Sequence, residues 1–150
     1  MMSSYLLFLL SGRLFGMKLL GAIEILPWRL ARPVPLSYSY VEGLIDYRGT
    51  IYPVFNLSQR LGLSKRGPIG FTPDEKEGTE AGRSIILLEE NKVPFGITVD
   101  SVVKMVKLEE PSPGAGRTTE EIDQKYVKGM TYDDDQEILI LDFERLLHAG

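Results

Sequence analysis

The stretch YVEGLIDYRGTIYPVFNLSQRL, residues 40–61, reads as strand, two-residue turn, strand and capped helix in one run. Residues 43–47 and 50–55 alternate as strands do, and Arg48-Gly49 is the turn between them. Asn56 has the short side-chain acceptor that caps a helix, Gln59 completes a capping-box spacing, and Leu57 and Leu61 fall on one helix face before Gly62 stops it. Pro53 cannot donate a ladder hydrogen bond, so the second strand is expected at a sheet edge. An arginine on a rigid hairpin suits recognition of a partner carboxylate by paired hydrogen bonds; its plainer reading is a solvated turn residue.

This block recurs. Tyr40-Val41-Glu42-Gly43 matches Tyr126-Val127-Lys128-Gly129, and the same offset of 86 (129 minus 43) puts Val54 on Ile140, Asn56 on Asp142 and Leu61 on Leu147. At an offset of 80 (95 minus 15), Phe15-Gly16 matches Phe95-Gly96 and Ile23 matches Val103. The chain therefore reads as one domain of two similar halves, about 5–62 and 84–148, joined by a polar linker over 63–83. Each half holds about four strands and little helix, which predicts two small closed or nearly closed barrels sharing a hydrophobic interface. Strand exchange between the halves is compatible with the repeat. The turn differs in kind: Asp134-Asp135 stands where the first half has Arg48-Gly49.

Further out, residues 5–10 form an almost wholly apolar run, followed by a turn at Ser11-Gly12 and a second strand in which Gly16 marks a bulge or a close backbone approach. Residues 20–26 fit neither the helical nor the strand period. Pro27, Pro33 and Pro35 make the next stretch irregular, and Trp28 is expected in the core. Residues 84–89 and 93–99 make another hairpin, and residues 118–125 read as a short helix. Residues 126–141 make a final hairpin before a helix capped by Asp142, with Phe143, Leu146 and Leu147 on one face.

At 150 residues, 43% hydrophobic, the chain can build one core, and a net charge of −4 gives no basic excess for nucleic acid or an acidic membrane. The absence of cysteine removes disulfides, thiolate zinc sites and cysteine nucleophiles. The apolar N-terminus lacks a preceding basic segment, and Arg13 and Lys18 interrupt it, so a soluble, cytoplasmic protein is expected. The single histidine, His148, lies at the C-terminus, and the glycines of the linker lack the lysine and hydroxyl of a phosphate loop. Asp133-Asp134-Asp135 lacks the glycine and distant glutamate of a calcium loop and reads as a solvated turn. Asp46, Glu24 and Asp100 show no sign of converging as an acid and base pair. No catalysis, metal or cofactor is expected.

With these blocks assembled, the chain resembles the CheW-like coupling domain of chemotaxis systems. The resemblance runs through residues 5–26, 40–57, 95–106 and 126–147, and its most specific part is G-x-x-x-x-R-G-x-x-x-P-V-x-x-L from Gly43 to Leu57. It implies two intertwined five-stranded, SH3-like barrels around a common core. It also implies a non-catalytic scaffold linking the cytoplasmic tip of chemoreceptors to the regulatory domain of the histidine kinase CheA, recruited to membrane receptor arrays. The same resemblance implies partner-binding roles for Arg48 of the R-G turn and Glu24 of the E-I pair, with Ala22, Gly43 and Gly49 alongside. Asp46-Tyr47, Asn56 and Ala22 depart from the commoner asparagine-leucine, aspartate and valine. An adaptor of another receptor-kinase pathway, such as twitching motility, and a double barrel binding a small molecule are the alternatives.

Overall fold

The protein is described by a computed structural model covering residues 2–19, 23–63, 82–109 and 124–148. The linker over 64–81, most of the helix expected at 118–125, and Ala22 lie outside the described residues. Among the described residues, ten strands and two short helices follow in chain order: β1 Met2–Leu10, β2 Arg13–Lys18, β3 Glu24–Pro27, β4 Val41–Tyr47, β5 Thr50–Asn56, α1 Leu57–Arg60, β6 Ser84–Glu90, β7 Val93–Val99, β8 Ser101–Glu109, β9 Val127–Asp133, β10 Gln136–Leu141 and α2 Phe143–His148. A 3₁₀ turn, Gln124–Tyr126, precedes β9. The segment that fitted neither period, where described, is the strand β3.

The strands form two curled five-stranded sheets that do not follow the two halves of the sequence. One sheet has the order β8-β1-β2-β10-β9 and the other β3-β6-β7-β5-β4. The first hairpin of each half thus pairs with the last three strands of the other, through parallel contacts of β2 with β10 and of β5 with β7 and antiparallel contacts of β1 with β8 and of β3 with β6. Among the described strands the chain changes sheet after β2 and again after β7, so that β3–β7 form one barrel and β1, β2 and β8–β10 the other.

The two parallel contacts are equivalent under the sequence repeat. Ile140 sits opposite Gly16, and Val54 opposite Gly96. At Gly16 an added Cβ would stand 2.9 Å from Ile140 Cδ1 and 3.1 Å from Leu7 Cδ2; at Gly96 it would stand 2.9 Å from Leu87 Cδ2 and 3.3 Å from Val54 Cγ2. Both glycines hold the place of a side chain so that the neighbouring strands can fill each barrel. Register runs unbroken through Gly16, so it marks a close approach and no bulge. Register shifts fall instead at Glu42 and, equivalently, Lys128, against β5 and β10, and at Val103 of β8, against β1.

Alternation along β1 and β6 explains why their sequences read as continuous apolar runs. Tyr5 and Leu7 point into the first barrel with Leu14, Leu108, Ile138 and Ile140, while Leu6, Phe8 and Leu10 join the core between the barrels. In β6, Ile85 and Leu87 fill the second barrel, and Ile86 and Leu88 meet the shared core. A strand buried on both faces has no polar side to show. The helices lie at this shared core, contributing Leu57, Phe143 and Leu146, each helix capped as the sequence predicts: Asn56 Oδ1 accepts from Gln59 N–H at 3.0 Å, and Asp142 Oδ1 from Arg145 N–H at 3.2 Å.

Pro53 departs from its expected place, because β5 is an interior strand. Pairing with β7 begins only at Val54, so Pro53 occupies the part of β5 that has no neighbour on that side, and its missing N–H costs no ladder bond there. Trp28 is half-buried and packs against the cluster of Ala31, Ile45 and Val54.

Gly16→Val and Gly96→Val are each expected to destabilise the fold by about 1–3 kcal/mol, as overpacked core positions do. Equilibrium urea unfolding of the two variants checks this, and the two losses should be similar because the sites are equivalent.

Candidate functional site

The four hairpins share one turn geometry. Ser11-Gly12, Arg48-Gly49, Asn91-Lys92 and Asp134-Asp135 all have positive φ at both central residues, the mark of type I′ turns whose twist matches the strands they join. Asparagine, aspartate and glycine suit such positions; an arginine at φ 54° is there against a local preference of about 1–2 kcal/mol. The fold thus dictates the turn, and it does not dictate the arginine. Such a residue in an exposed turn is a reason to look for function.

From β3, Glu24 reaches this turn, and Arg48 Nη1 lies 3.7 Å from Glu24 Oε1. The structure therefore brings together the two side chains that the resemblance pairs, although they are far apart in sequence. The Arg48 side chain is 75% exposed and that of Glu24 is 48% exposed. At that separation the pair is looser than a charge-assisted hydrogen bond of about 2.8 Å, and an exposed pair contributes only about 0–1 kcal/mol. The guanidinium also lies 5.1 Å from the Tyr47 ring centroid, within reach of a cation–π contact. Ile25 and Ile51, next to Glu24 and opposite Asp46, expose apolar surface beside the pair.

β3 and β4 are the two edges of their sheet, so this ion pair spans the seam of the barrel. The other barrel has the same arrangement with reversed charge. Its edges are β8 and β9, and Lys104 Nζ of β8 meets Asp133 Oδ2 of β9 at 2.7 Å. Lys104 is the repeat equivalent of Glu24, and Asp133 lies one residue from Asp134, the equivalent of Arg48. The hydrogen bond to Asp133, then its negative charge, hold the Lys104 ammonium above its ordinary pKa against the opposing effect of desolvation, with a lesser contribution from the charge of Asp134. One barrel thus offers an exposed cation at its turn and the other exposed carboxylates.

The remaining expected site residues are placed differently. Gly49 completes the turn at φ 84° and has open space beside it. Gly43 is buried at the far end of β4 with φ 143°, where any Cβ would run into the Arg32 carbonyl. That carbonyl accepts from Leu44 N–H at 2.8 Å, and Arg32 N–H donates to Leu44 O at 2.9 Å, so Gly43 admits the crossing chain and offers a partner no side chain. Ala22 lies outside the described residues.

Two of the three acidic residues weighed for acid and base chemistry, Glu24 and Asp100, have separate partners, and Asp46 accepts from Arg29 only through its backbone carbonyl. Glu24 faces Arg48, and Asp100 accepts from Ser11 N–H at 2.8 Å and lies 3.9 Å from Arg83. Asp133 is occupied by Lys104. Among the described residues no group of acidic or histidine side chains could hold a metal ion. A cleft lined by Tyr5, Lys18, Lys128 and Asp142 holds about 110 Å³, well below the roughly 300 Å³ of a small-molecule site.

Sequence reasoning missed two features. One is the Lys104–Asp133 pair, which the offsets of 80 and 86 together would have placed at the second seam. The other is an apolar ridge in the irregular segment after β3: Leu30, Val34, Leu36 and Tyr38 are exposed, and Leu36 stands at φ 62°. The prolines flanking Val34 were the available signal.

A family model described as "CheW-like domain" matches residues 4–150. The chain is 26% identical over 143 residues to a chemotaxis protein CheW of Treponema pallidum, covering 95% of this chain and 80% of that one. It is 31% identical over 115 residues to a CheW of Thermotoga maritima, covering 77% and 68%. The crystal structure of the scaffolding protein TtCheW from Thermoanaerobacter tengcongensis superposes with a TM-score of 0.78 at 27% identity, covering 97% of this chain and 88% of that one.

The raised pKa of Lys104 sets a sign for pH dependence. A group whose folded pKa exceeds its unfolded value contributes stability below the unfolded value and loses it as pH rises through the folded one. The stability difference between the wild type and Asp133→Asn is therefore expected near neutral pH and should vanish in the strongly alkaline range, above the ordinary lysine value of 10.5. Urea unfolding across pH measures this, with Lys104 in the variant titrating closer to its ordinary value by NMR.

Proposed function

The chain belongs to the CheW-like domain family, and from that premise we propose that it is a non-catalytic scaffold coupling chemoreceptors to the histidine kinase CheA. The observation that carries the reading is the exposed Glu24–Arg48 pair at the seam of one barrel, set on a turn whose geometry does not call for arginine. The names of the relatives, chemotaxis CheW proteins and a scaffolding protein, support the same role.

On this reading the partners are the regulatory domain of CheA and the cytoplasmic tip of a chemoreceptor, and the protein works in the cytoplasm at receptor arrays. No helix among the described residues is long and apolar enough to cross a membrane; on the scaffold reading, attachment to the array is through the partners. The two barrels, one with an exposed cation and one with exposed carboxylates at equivalent seams, provide faces that a partner can tell apart. Glu24, Arg48 and Gly49, with Ile25 and Ile51, form the face proposed for docking; Gly43 shapes the far end of β4 behind it, and Ala22 lies outside the described residues. Holding two partners on one rigid body raises their effective concentration for each other, which is how a protein without chemistry of its own changes kinase output.

Co-sedimentation with receptor-containing membranes and CheA tests the proposal. The wild type should pellet with them and recruit the kinase, and binding to neither partner would overturn the reading. Arg48→Asp should weaken binding by about tenfold or more while changing stability by less than about 1 kcal/mol, since the lost pair is an exposed one. Asp134→Arg, at the equivalent turn, is the matched control.

A further inference from the structure

Arg60, the last residue of α1, lies between two aromatic rings. Its guanidinium carbon is 4.6 Å from the ring centroid of Tyr40 and 4.8 Å from that of Tyr126. Its Nη2 donates to the carbonyl of Leu146 in α2 at 3.2 Å. Tyr40 and Tyr126 are repeat equivalents, and so are Arg60 and Leu146. Their backbones are equivalent too: Tyr40 O accepts from Asn56 N–H at 2.7 Å, and Tyr126 O from Asp142 N–H at 2.8 Å. Arg60 therefore occupies the place where the two halves meet, and it breaks their symmetry there. A second arginine at position 146 would bring two like charges into one partly buried site, which leucine avoids.

The contacts join elements of both barrels. Tyr40 leads into β4 and Tyr126 into β9, while α1 follows β5 and α2 follows β10. Lys125 approaches the Tyr126 ring as well, at 5.1 Å, but it is a neighbour in sequence and ties nothing across the halves. The Tyr40 ring also stacks on exposed Tyr38 at 5.3 Å and meets Phe55 at 5.8 Å, so the arginine touches a line of rings that starts at the surface. The second crossing of the chain is held by polar contacts of its own: Asp100, the single residue between β7 and β8, donates to Leu9 O and accepts from Ser11 N–H.

We propose that Arg60 is a positioning residue that fixes the angle between the two barrels, acting as a clamp between Tyr40, Tyr126 and the Leu146 carbonyl. Apolar side chains at the shared core pack without directional preference, whereas a planar guanidinium between two rings with a directed hydrogen bond sets an orientation. On the scaffold reading above, this angle sets the spacing of the two docking faces; the clamp itself does not depend on that reading, and its test uses no partner.

The chain contains no cysteine, so spin labels at Val93→Cys and Tyr132→Cys, both exposed and on different barrels, report the inter-barrel distance without background. Pulsed electron resonance should give one narrow distance for the labelled protein and a broadened or shifted distribution with Arg60→Met. Arg60→Lys, which keeps the cation but not the fork, should fall between them. A purely stabilising arginine would lower the melting temperature of Arg60→Met and leave the distance unchanged, and that outcome overturns the proposal. If Arg60→Met does not fold, Tyr40→Leu, which removes one wall of the slot, decides by the same two outcomes.

Discussion

The fold depends on two parallel contacts, β10 against β2 and β5 against β7, each between strands of different halves. A hairpin alone leaves two open edges, and an edge of unpaired backbone groups is a liability. Here each half closes its partner's edge. Gly16 and Gly96 make these contacts possible by ceding space to the side chains opposite. Neither barrel can lose its first hairpin without opening a sheet built mainly from the other half, and the shared core of Leu6, Phe8, Ile86 and Phe95 reinforces that dependence.

Within this symmetric frame, function rests on the places where the repeat is broken. The two seams carry ion pairs in equivalent positions with opposite polarity, Glu24 with Arg48 and Lys104 with Asp133. The pair at 2.7 Å is the tighter, and its aspartate is largely covered; the pair at 3.7 Å leaves its arginine open. The first reads as closure of a barrel, and the second as closure that leaves binding capacity to spare. Arg60 breaks the repeat a third time, at the meeting of the halves.

Much of this was legible in sequence because it is local or repeats. The turn at Arg48-Gly49, the caps at Asn56 and Asp142 and the matched blocks follow from short-range rules, and the resemblance to the coupling-domain family supplied five strands per barrel where counting runs suggested about four. What sequence could not convey was pairing at a distance. Pro53 argued for an edge strand because proline lacks a donor, yet β5 is interior, and the proline is accommodated where β7 has not yet begun to pair. Glu24 and Arg48 came together on the page only through the family resemblance; the structure brings them within 3.7 Å by placing β3 and β4 at opposite edges of one curled sheet. Arg60 read simply as a helix residue, since nothing local marks a slot formed by Tyr40 and Tyr126.

The central claim is that the seam bearing Glu24 and Arg48 is a docking face. Hydrogen exchange of the intact chain, alone, saturated with the CheA regulatory domain, and saturated with a receptor tip fragment, tests it most directly. The account predicts slowed exchange of backbone amides in residues 24–26 and 46–52 with at least one partner. Unchanged exchange in both segments with both partners bound would contradict it.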